Sequence, residues 1–230
     1  MHFPHAAAYC IRCRLRREVC LCTHARAVAA DLRMIVVIHE DESRKMSNTG
    51  HLAKLVLPDC SLVTHAARGR APTELGELAK SCDVDGRPWR TILLFPGLGA
   101  RELTPDYVEQ LRTPDAGGPI ARLRVVVPDG TWSQARRMVK RVPALAALPR
   151  VSLPAAAFFT SRVAMRPRGN PEPARVSTAE AMAAALGLLG ETAAEAALYS
   201  AYDDAALRIA LMRGKRPLAP HRHVLVQVAL

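Results

Sequence analysis

Aromatic residues, acidic residues and long apolar runs are all scarce in this 230-residue sequence. Aromatic side chains make up 4% of the chain, which argues against recognition of a nucleic acid by extended base stacking. No segment approaches the roughly 18 consecutive apolar residues of a transmembrane helix, and the N-terminus lacks the basic and apolar regions of a secretory signal. We therefore expect a cytoplasmic protein whose cysteines stay reduced.

Several catalytic motifs are absent as well. The chain has no Gly-x4-Gly-Lys-Ser/Thr phosphate loop, and Gly97-Leu-Gly99 is followed by Glu102 where a dinucleotide site needs a third glycine. His39-Glu40 begins like a zinc-protease helix but lacks the second histidine. The zinc deaminase pattern is missing too. These absences argue against four common enzyme classes.

Basic residues, in contrast, are abundant. The chain has 32 Lys and Arg against 21 Asp and Glu, a net charge of +11 and a pI near 10.0. Its hydrophobic fraction of 50% is ordinary for a globular protein. A folded protein this basic is expected to bind a polyanion, with nucleic acid as the first candidate and an anionic membrane surface as the second.

A cysteine cluster lies near the N-terminus in the pattern C-x2-C-x6-C-x-C. Its members are Cys10, Cys13, Cys20 and Cys22. Two close thiolate pairs can bind one tetrahedral metal ion, and so short an arginine-rich segment cannot build a core of its own, so we predict a structural Zn²⁺. Four unligated thiols, or His24 in place of one cysteine, are the alternatives. Cys60 and Cys82 are expected to be buried small apolar side chains.

Strands and helices alternate along the rest of the chain. Apolar, β-branched runs predict buried strands at 34–38, 91–95 and 123–127. Helices are predicted at 51–57 with Asn48 as N-cap, 105–112, 132–142, from the capping box at Ser177 onward, and 191–213. This alternation predicts an α/β fold with a largely parallel sheet. We expect a zinc knuckle at 1–30 and one catalytic domain at 31–230, ending in helices and a basic tail.

Ligands of open α/β sheets bind beyond the carboxyl ends of the strands. The three loops there are 39–50, 96–100 and 128–132, and each combines turn residues with a polar group before a helix. Backbone N–H groups at such helix starts can bind an anionic or carboxylate-bearing ligand. The alternative is that these loops are ordinary turns and helix caps.

The third loop resembles a known signature. Asp129-Gly-Thr131-Trp132 resembles the D-x-T-W motif of DTW-domain proteins, and four further blocks occur in the order that family shows. They are the cysteine cluster, His39-x-x-Glu42-x-x-Lys45-x-Ser47-Asn48-Thr49-Gly50, Phe95-Pro96-Gly97 and Ser177-Thr178-Ala179-Glu180-Ala181. The resemblance spans roughly residues 10 to 190.

The resemblance implies a function. DTW-domain proteins are tRNA-uridine aminocarboxypropyltransferases, which transfer the 3-amino-3-carboxypropyl group from S-adenosylmethionine to N3 of a uridine, typically in the variable loop of tRNA, and release methylthioadenosine. The implied fold is SPOUT-like, with a knotted α/β core. The expected partner is tRNA, with no membrane and no protein partner implied.

The resemblance and the loops together suggest roles for single residues. Asp129 is proposed to accept the N3 proton or orient the base, with Thr131 and Trp132 beside it. Expected cofactor contacts are Asn48, Thr49, Gly50, Phe95, Pro96, Gly97, Ser177, Thr178 and Glu180. Expected RNA contacts are Arg136, Arg137, Lys140, Arg141 and Arg166, with the knuckle arginines Arg12, Arg14, Arg16 and Arg17 in support.

Each role has a plain structural alternative. Asp129 could cap the helix that begins at Trp132, Trp132 could be a core residue, and the basic residues could form a solvated helix face. Function has alternatives as well: an RNA methyltransferase that uses S-adenosylmethionine, a zinc-containing RNA-binding protein without chemistry, or the same transfer reaction on ribosomal RNA.

Overall fold

A parallel sheet forms the centre of the protein. The computed structural model describes residues 8–66, 75–114, 118–158 and 176–214. Six strands are present in this part of the chain: β1 Leu32–His39, β2 Cys60–His65, β3 Trp89–Leu94, β4 Arg101–Glu102, β5 Arg122–Asp129 and β6 Arg150–Ser152. Their order across the sheet is β2-β1-β5-β3-β6-β4, and all neighbours pair in parallel. The predicted α/β class is confirmed.

Helices connect these strands. They are α1 Glu40–Ser43, α2 Leu52–Val56, α3 Pro105–Arg112, α4 Trp132–Arg141, α5 Pro143–Ala146, α6 Thr178–Leu188 and α7 Thr192–Met212. Side-chain caps define three of their starts. Thr104 caps α3, whereas Thr131 with Gln134, and Ser177 with Glu180, form capping boxes at α4 and α6. The start predicted from the capping box at Ser177 is confirmed.

The two faces of the sheet bury separate hydrophobic clusters. Because side chains alternate along a strand, Met34 and Val36 of β1 face one cluster, while Ile35 and Val37 face the other. Helices α2, α6 and α7 cover the first face, and α4 and α5 cover the second. Both faces of β1 and β5 are therefore buried, which explains their continuous apolar sequences. The segment that carries the four clustered cysteines, residues 10–22, is called the cysteine segment below. Its residue Leu15 lies in the hydrophobic cluster on the first face of the sheet.

Several local expectations were wrong or incomplete. Strands β2, β4 and β6 were missed because they are short or alternate with polar residues. The N-cap of α2 is His51 rather than Asn48, whose side chain is used elsewhere. Cys60 is buried as expected, but Cys82 is exposed because it lies in an isolated bridge outside the sheet.

No helix within the described residues is both long and apolar enough to span a membrane.

Candidate active site at the carboxyl edge of the sheet

Asp129 is the last residue of β5, a strand with neighbours on both sides. Its side chain is buried, with the residue only 4% exposed. Asn48 donates a hydrogen bond to Oδ2, and the Thr178 hydroxyl donates one to Oδ1 at 2.5 Å. The carboxylate thus joins three distant segments: the loop after β1, the end of β5 and the start of α6.

Two further contacts pack the loop after β1 against α6 and against Asp129. The Thr49 hydroxyl accepts a hydrogen bond of 3.2 Å from the backbone N–H of Ala179 in α6. Gly50 lies directly against the carboxylate, because a Cβ built on it would be 2.7 Å from Cγ of Asp129 and 3.1 Å from Cγ1 of Val36. The loop after β1 can approach this closely only because position 50 has no side chain.

Burial raises the pKa of Asp129 above its ordinary value. The hydrogen bonds from Thr178 and Asn48 and the positive charge of Arg14 oppose this rise, whereas the nearby Glu42 adds to it. Each carboxylate oxygen has two lone pairs, so one hydrogen bond on each leaves room for a further proton. The arrangement suits a group that takes up a proton more readily than an exposed aspartate.

An aromatic surface lies at the same edge of the sheet, three residues after Asp129 in the chain. Trp132 opens α4 and is 48% exposed, so the core alternative for this residue is wrong. Its ring centroid is 5.9 Å from that of the mostly buried Phe95, at an interplanar angle of 51°. Pro96, Gly97 and Leu98 follow Phe95 as an exposed loop, with Gly97 at a φ of 146°. A planar ring system can stack on such a surface.

Thr131 is committed to helix capping. Its hydroxyl accepts from the Gln134 backbone N–H at 3.4 Å and also donates to the side-chain oxygen of Gln134 at 2.9 Å. The Gln134 amide in turn donates to Asp41 of α1 at 3.2 Å. Because Thr131 is the N-cap of α4, the alternative in which Asp129 caps this helix is wrong.

The expected cofactor residues fall into two groups. The inner group, Asn48, Thr49, Gly50 and Thr178, surrounds Asp129. The outer group, Phe95, Pro96 and Gly97, adjoins Trp132. Ser177 and Glu180 bind each other in the capping box of α6.

Helix α4 presents an unpaired basic surface. Arg136, Arg137, Lys140 and Arg141 are all exposed, and no ion pair joins them to another residue of the described chain. Two arginines outside α4 are neutralised by contrast: Arg87 pairs with Asp31 at 2.6 Å, and Arg122 pairs with Asp59 at 2.9 Å. Excess positive charge is therefore exposed on the helix that begins at Trp132. Arg166 and the basic tail beyond Gly214 lie outside the described residues.

The four clustered cysteines converge on one point. Their Sγ atoms all lie within 4.8 Å of one another, and the pairs Cys10 with Cys22 and Cys13 with Cys20 are each 3.6 Å apart. Burial opposes ionisation of Cys10, but backbone N–H groups of Cys13 and Arg12 lower its pKa to about 6. Burial raises the pKa of Cys13 and Cys22, so a nearby cation is needed to hold these two as thiolates. This cluster could hold a metal ion, whereas the His24 ring contacts Thr23 instead.

Sequence reasoning missed some polar residues of this edge. Glu42 is buried and pairs with Lys45 at 2.6 Å, and its only signal was its place in the block that begins at His39. His51 is buried and its Nε2 lies 3.1 Å from the carbonyl of Cys13, which fastens the cysteine cluster to α2. No pattern in the sequence indicated that contact.

Comparison with known proteins identifies the family. The DTW domain family model matches residues 7–209. The chain belongs to the DTW domain family. It is 26% identical over 129 residues to tRNA-uridine aminocarboxypropyltransferase 2 of Macaca fascicularis, covering 55% of this chain and 39% of that protein. The protein of the same name from Mus musculus is 28% identical over 130 residues, with the same coverage. This DTW-domain protein thus matches about two fifths of the length of these relatives. No solved structure matches the chain.

Replacing Gly50 with Ala tests the close packing at Asp129. The added methyl group would press on a carboxylate that Asn48 and Thr178 hold in place, so we expect a loss of about 1–3 kcal/mol in the free energy of unfolding. The matched control is Gly76→Ala, where a Cβ meets nothing within 4 Å. Urea denaturation of both variants gives the answer, and equal stabilities would contradict the packing described here.

Proposed function

We propose that this protein transfers the 3-amino-3-carboxypropyl group of S-adenosylmethionine to N3 of a uridine in tRNA, with a variable-loop uridine as the expected target. The observation that carries the proposal is the buried carboxylate of Asp129, with a raised pKa, at the end of the strand that leads to the exposed Trp132 in a DTW-domain protein. The names of the two mammalian relatives support the same reaction. We also propose that the α/β fold of this protein is SPOUT-like and knotted.

The reaction needs a proton acceptor and precise positioning. S-adenosylmethionine supplies an activated carbon, because its positively charged sulfur is a good leaving group. The N3–H of uridine is a weak acid, so Asp129 accepts its proton or orients the base while N3 forms a bond to Cγ of the methionine part. The Cγ–S bond breaks, and its electron pair leaves with sulfur as methylthioadenosine. Holding N3 opposite Cγ rather than the methyl group supplies the selectivity.

The residues at this edge suit the two substrates. The Trp132 and Phe95 rings offer a stacking surface for a planar base, adenine or uracil. The backbone of Pro96 and Gly97 is exposed for hydrogen bonding. The negative charge of Asp129 complements a positively charged sulfur nearby. Asn48, Thr49 and Gly50 contribute by shaping the wall, because they are buried and already engaged.

Helix α4 is the proposed contact for tRNA. Its four exposed cations lie on the helix that follows the DTW loop, so phosphates bound there would leave the RNA next to Trp132. Such contacts hold the RNA in register without reading its sequence.

The cysteine cluster is proposed to bind structural zinc. With Zn–S bonds of roughly 2.3 Å, sulfur ligands of a tetrahedral site lie about 3.8 Å apart. The observed Sγ pairs at 3.6 Å fit this spacing. Four sulfur ligands leave no open position for water, so the metal's role is to hold the segment folded.

Substitution of Asp129 tests the proposed reaction. Asp129→Asn keeps the volume of the side chain but removes its capacity to accept a proton, so we expect at least a hundredfold loss of turnover. The assay uses full-length protein with unmodified tRNA and S-adenosylmethionine, and mass spectrometry of nucleosides and small products. The control is Asp204→Asn on α7, away from the site.

The products of the wild-type protein decide among the alternatives. Aminocarboxypropyluridine with methylthioadenosine supports the proposal. Methylated nucleoside with S-adenosylhomocysteine identifies a methyltransferase and contradicts it. Turnover by Asp129→Asn equal to that of the wild type would remove Asp129 from the chemistry.

Salt dependence tests the role of α4. Arg136→Gln and Arg137→Gln should each weaken tRNA binding and lower the slope of log Kd against log salt by about one for each phosphate that the arginine neutralises. Lys80→Gln, an exposed cation outside α4, is the control and should leave both quantities unchanged. Unchanged slopes in both arginine variants would mean that α4 is only a solvated face.

Metal analysis tests the cysteine site. We expect one zinc ion per chain in the wild type and in Cys82→Ser, whose side chain is exposed and outside the cluster. Cys13→Ser should lose the metal and unfold at a lower temperature, because the segment then lacks its cross-link. Equal zinc contents in the two variants would rule out the cluster as the metal site.

A further inference from the structure

Arg14 has an unusual backbone conformation. Its φ is 60°, and no other non-glycine residue in the described part of the chain has a positive φ. The turn is closed by two backbone hydrogen bonds of 2.8 Å, from Arg14 to the carbonyl of Cys10 and from Cys10 to the carbonyl of Leu15. An arginine in this left-handed region is uncommon.

The side chain of Arg14 points to the active-site edge. One guanidinium nitrogen donates a hydrogen bond of 3.4 Å to Oδ1 of Asn48. The other end of the same amide, Nδ2, donates to Asp129. Asn48 is 4% exposed, so water cannot easily replace either partner. Arg14, Asn48, Asp129 and Thr178 therefore form one continuous chain of hydrogen bonds.

Arg14 and Asp129 together fix the orientation of the Asn48 amide. An amide that turned by 180° would point its oxygen at the carboxylate, where two acceptors repel each other. Arg14 strengthens this preference, because its guanidinium can only donate and so also selects the oxygen of Asn48. The amide nitrogen is then left facing Asp129.

From this geometry we infer that Arg14 is a positioning residue for Asp129, acting through Asn48, and that it joins the cysteine segment to the active site. The inference rests on the proposed function for its catalytic consequence. It also separates Arg14 from Arg12, Arg16 and Arg17, with which it was grouped as an RNA contact. Arg12 is exposed, whereas Arg14 is half-buried and bonded within the protein.

The charge of Arg14 also affects a second measurable quantity, the pH dependence of activity. The charged groups that act on Asp129 are Arg14 from the cysteine segment and Glu42 from α1, while Asn48 and Thr178 face it as neutral donors. The charge of Arg14 lowers the pKa of Asp129, so its removal should raise that pKa further. Activity that requires the ionised carboxylate should then begin at a higher pH.

The test compares Arg14→Asn with Arg26→Gln, an exposed arginine that follows the four clustered cysteines, in the full-length, metal-loaded protein. Asparagine accepts a φ of 60°, so the turn itself should survive. For Arg14→Asn we expect turnover about tenfold to a hundredfold below wild type, an acidic limb shifted to higher pH, and unchanged KM for tRNA and zinc content. Arg26→Gln should retain wild-type turnover and pH profile.

Two results would overturn the inference. One is Arg14→Asn with turnover within twofold of Arg26→Gln. The other is a rise in KM for tRNA with the pH profile unchanged, which would make Arg14 an RNA contact after all.

If the wild-type protein transfers nothing, the proposed function is wrong, and the role of Arg14 is then tested by stability instead of activity. The unfolding midpoints of Arg14→Asn, Asp129→Asn and the double variant then form a cycle. A destabilisation by Arg14→Asn that shrinks in the Asp129→Asn background supports the connection, and strictly additive midpoints overturn it.

Discussion

The carboxylate of Asp129 is the contact on which the functional edge depends. It ends an interior strand, and the hydrogen bonds from Asn48 and Thr178 bring segments to it from 81 and 49 residues away in sequence. A buried ionised group is costly unless it is hydrogen-bonded. The two donors offset this cost, and Gly50 leaves the room for the loop to reach the carboxylate. Without Asp129, the loop after β1 and the start of α6 would lose their common partner.

The same burial connects stability with chemistry. Because the folded state raises the pKa of Asp129, this group binds more protons in the folded than in the unfolded chain between its ordinary value of about 3.9 and the raised one. Its contribution to stability is therefore present at low pH and is lost as the pH rises through that window. When it is ionised, this buried carboxylate is a better proton acceptor than an exposed one, as a proton-abstracting site requires.

Local patterns were sufficient to predict the interior of the fold. The runs in β1, β3 and β5 are apolar enough to identify buried strands, and the capping box at Ser177 marks the start of α6. The short strands β4 and β6 could not be found in this way, because two or three residues show no periodicity. Pairing with neighbours that are distant in sequence stabilises them.

The sequence was sufficient to predict which loops form the site, but not which side chains in those loops bind each other. Parallel strands bring their carboxyl ends to one edge, which places Asn48 and Asp129 in the same region from sequence alone. Whether the Asn48 amide caps α2 or binds a carboxylate depends on tertiary packing, and the local interpretation as a cap was wrong. The reach of Arg14 to Asn48 depends on a left-handed turn that arginine rarely adopts.

The most direct test of this account is an NMR titration of the Asp129 carboxyl carbon in ¹³C-aspartate-labelled protein, with Asp129→Asn to assign the resonance. We expect a midpoint clearly above the ordinary value of about 3.9, because burial outweighs the hydrogen bonds from Asn48 and Thr178. A midpoint at or below that value would show that the hydrogen bonds outweigh burial. Asp129 would then be a structural carboxylate that joins the loops, and the proton acceptor would have to be sought elsewhere.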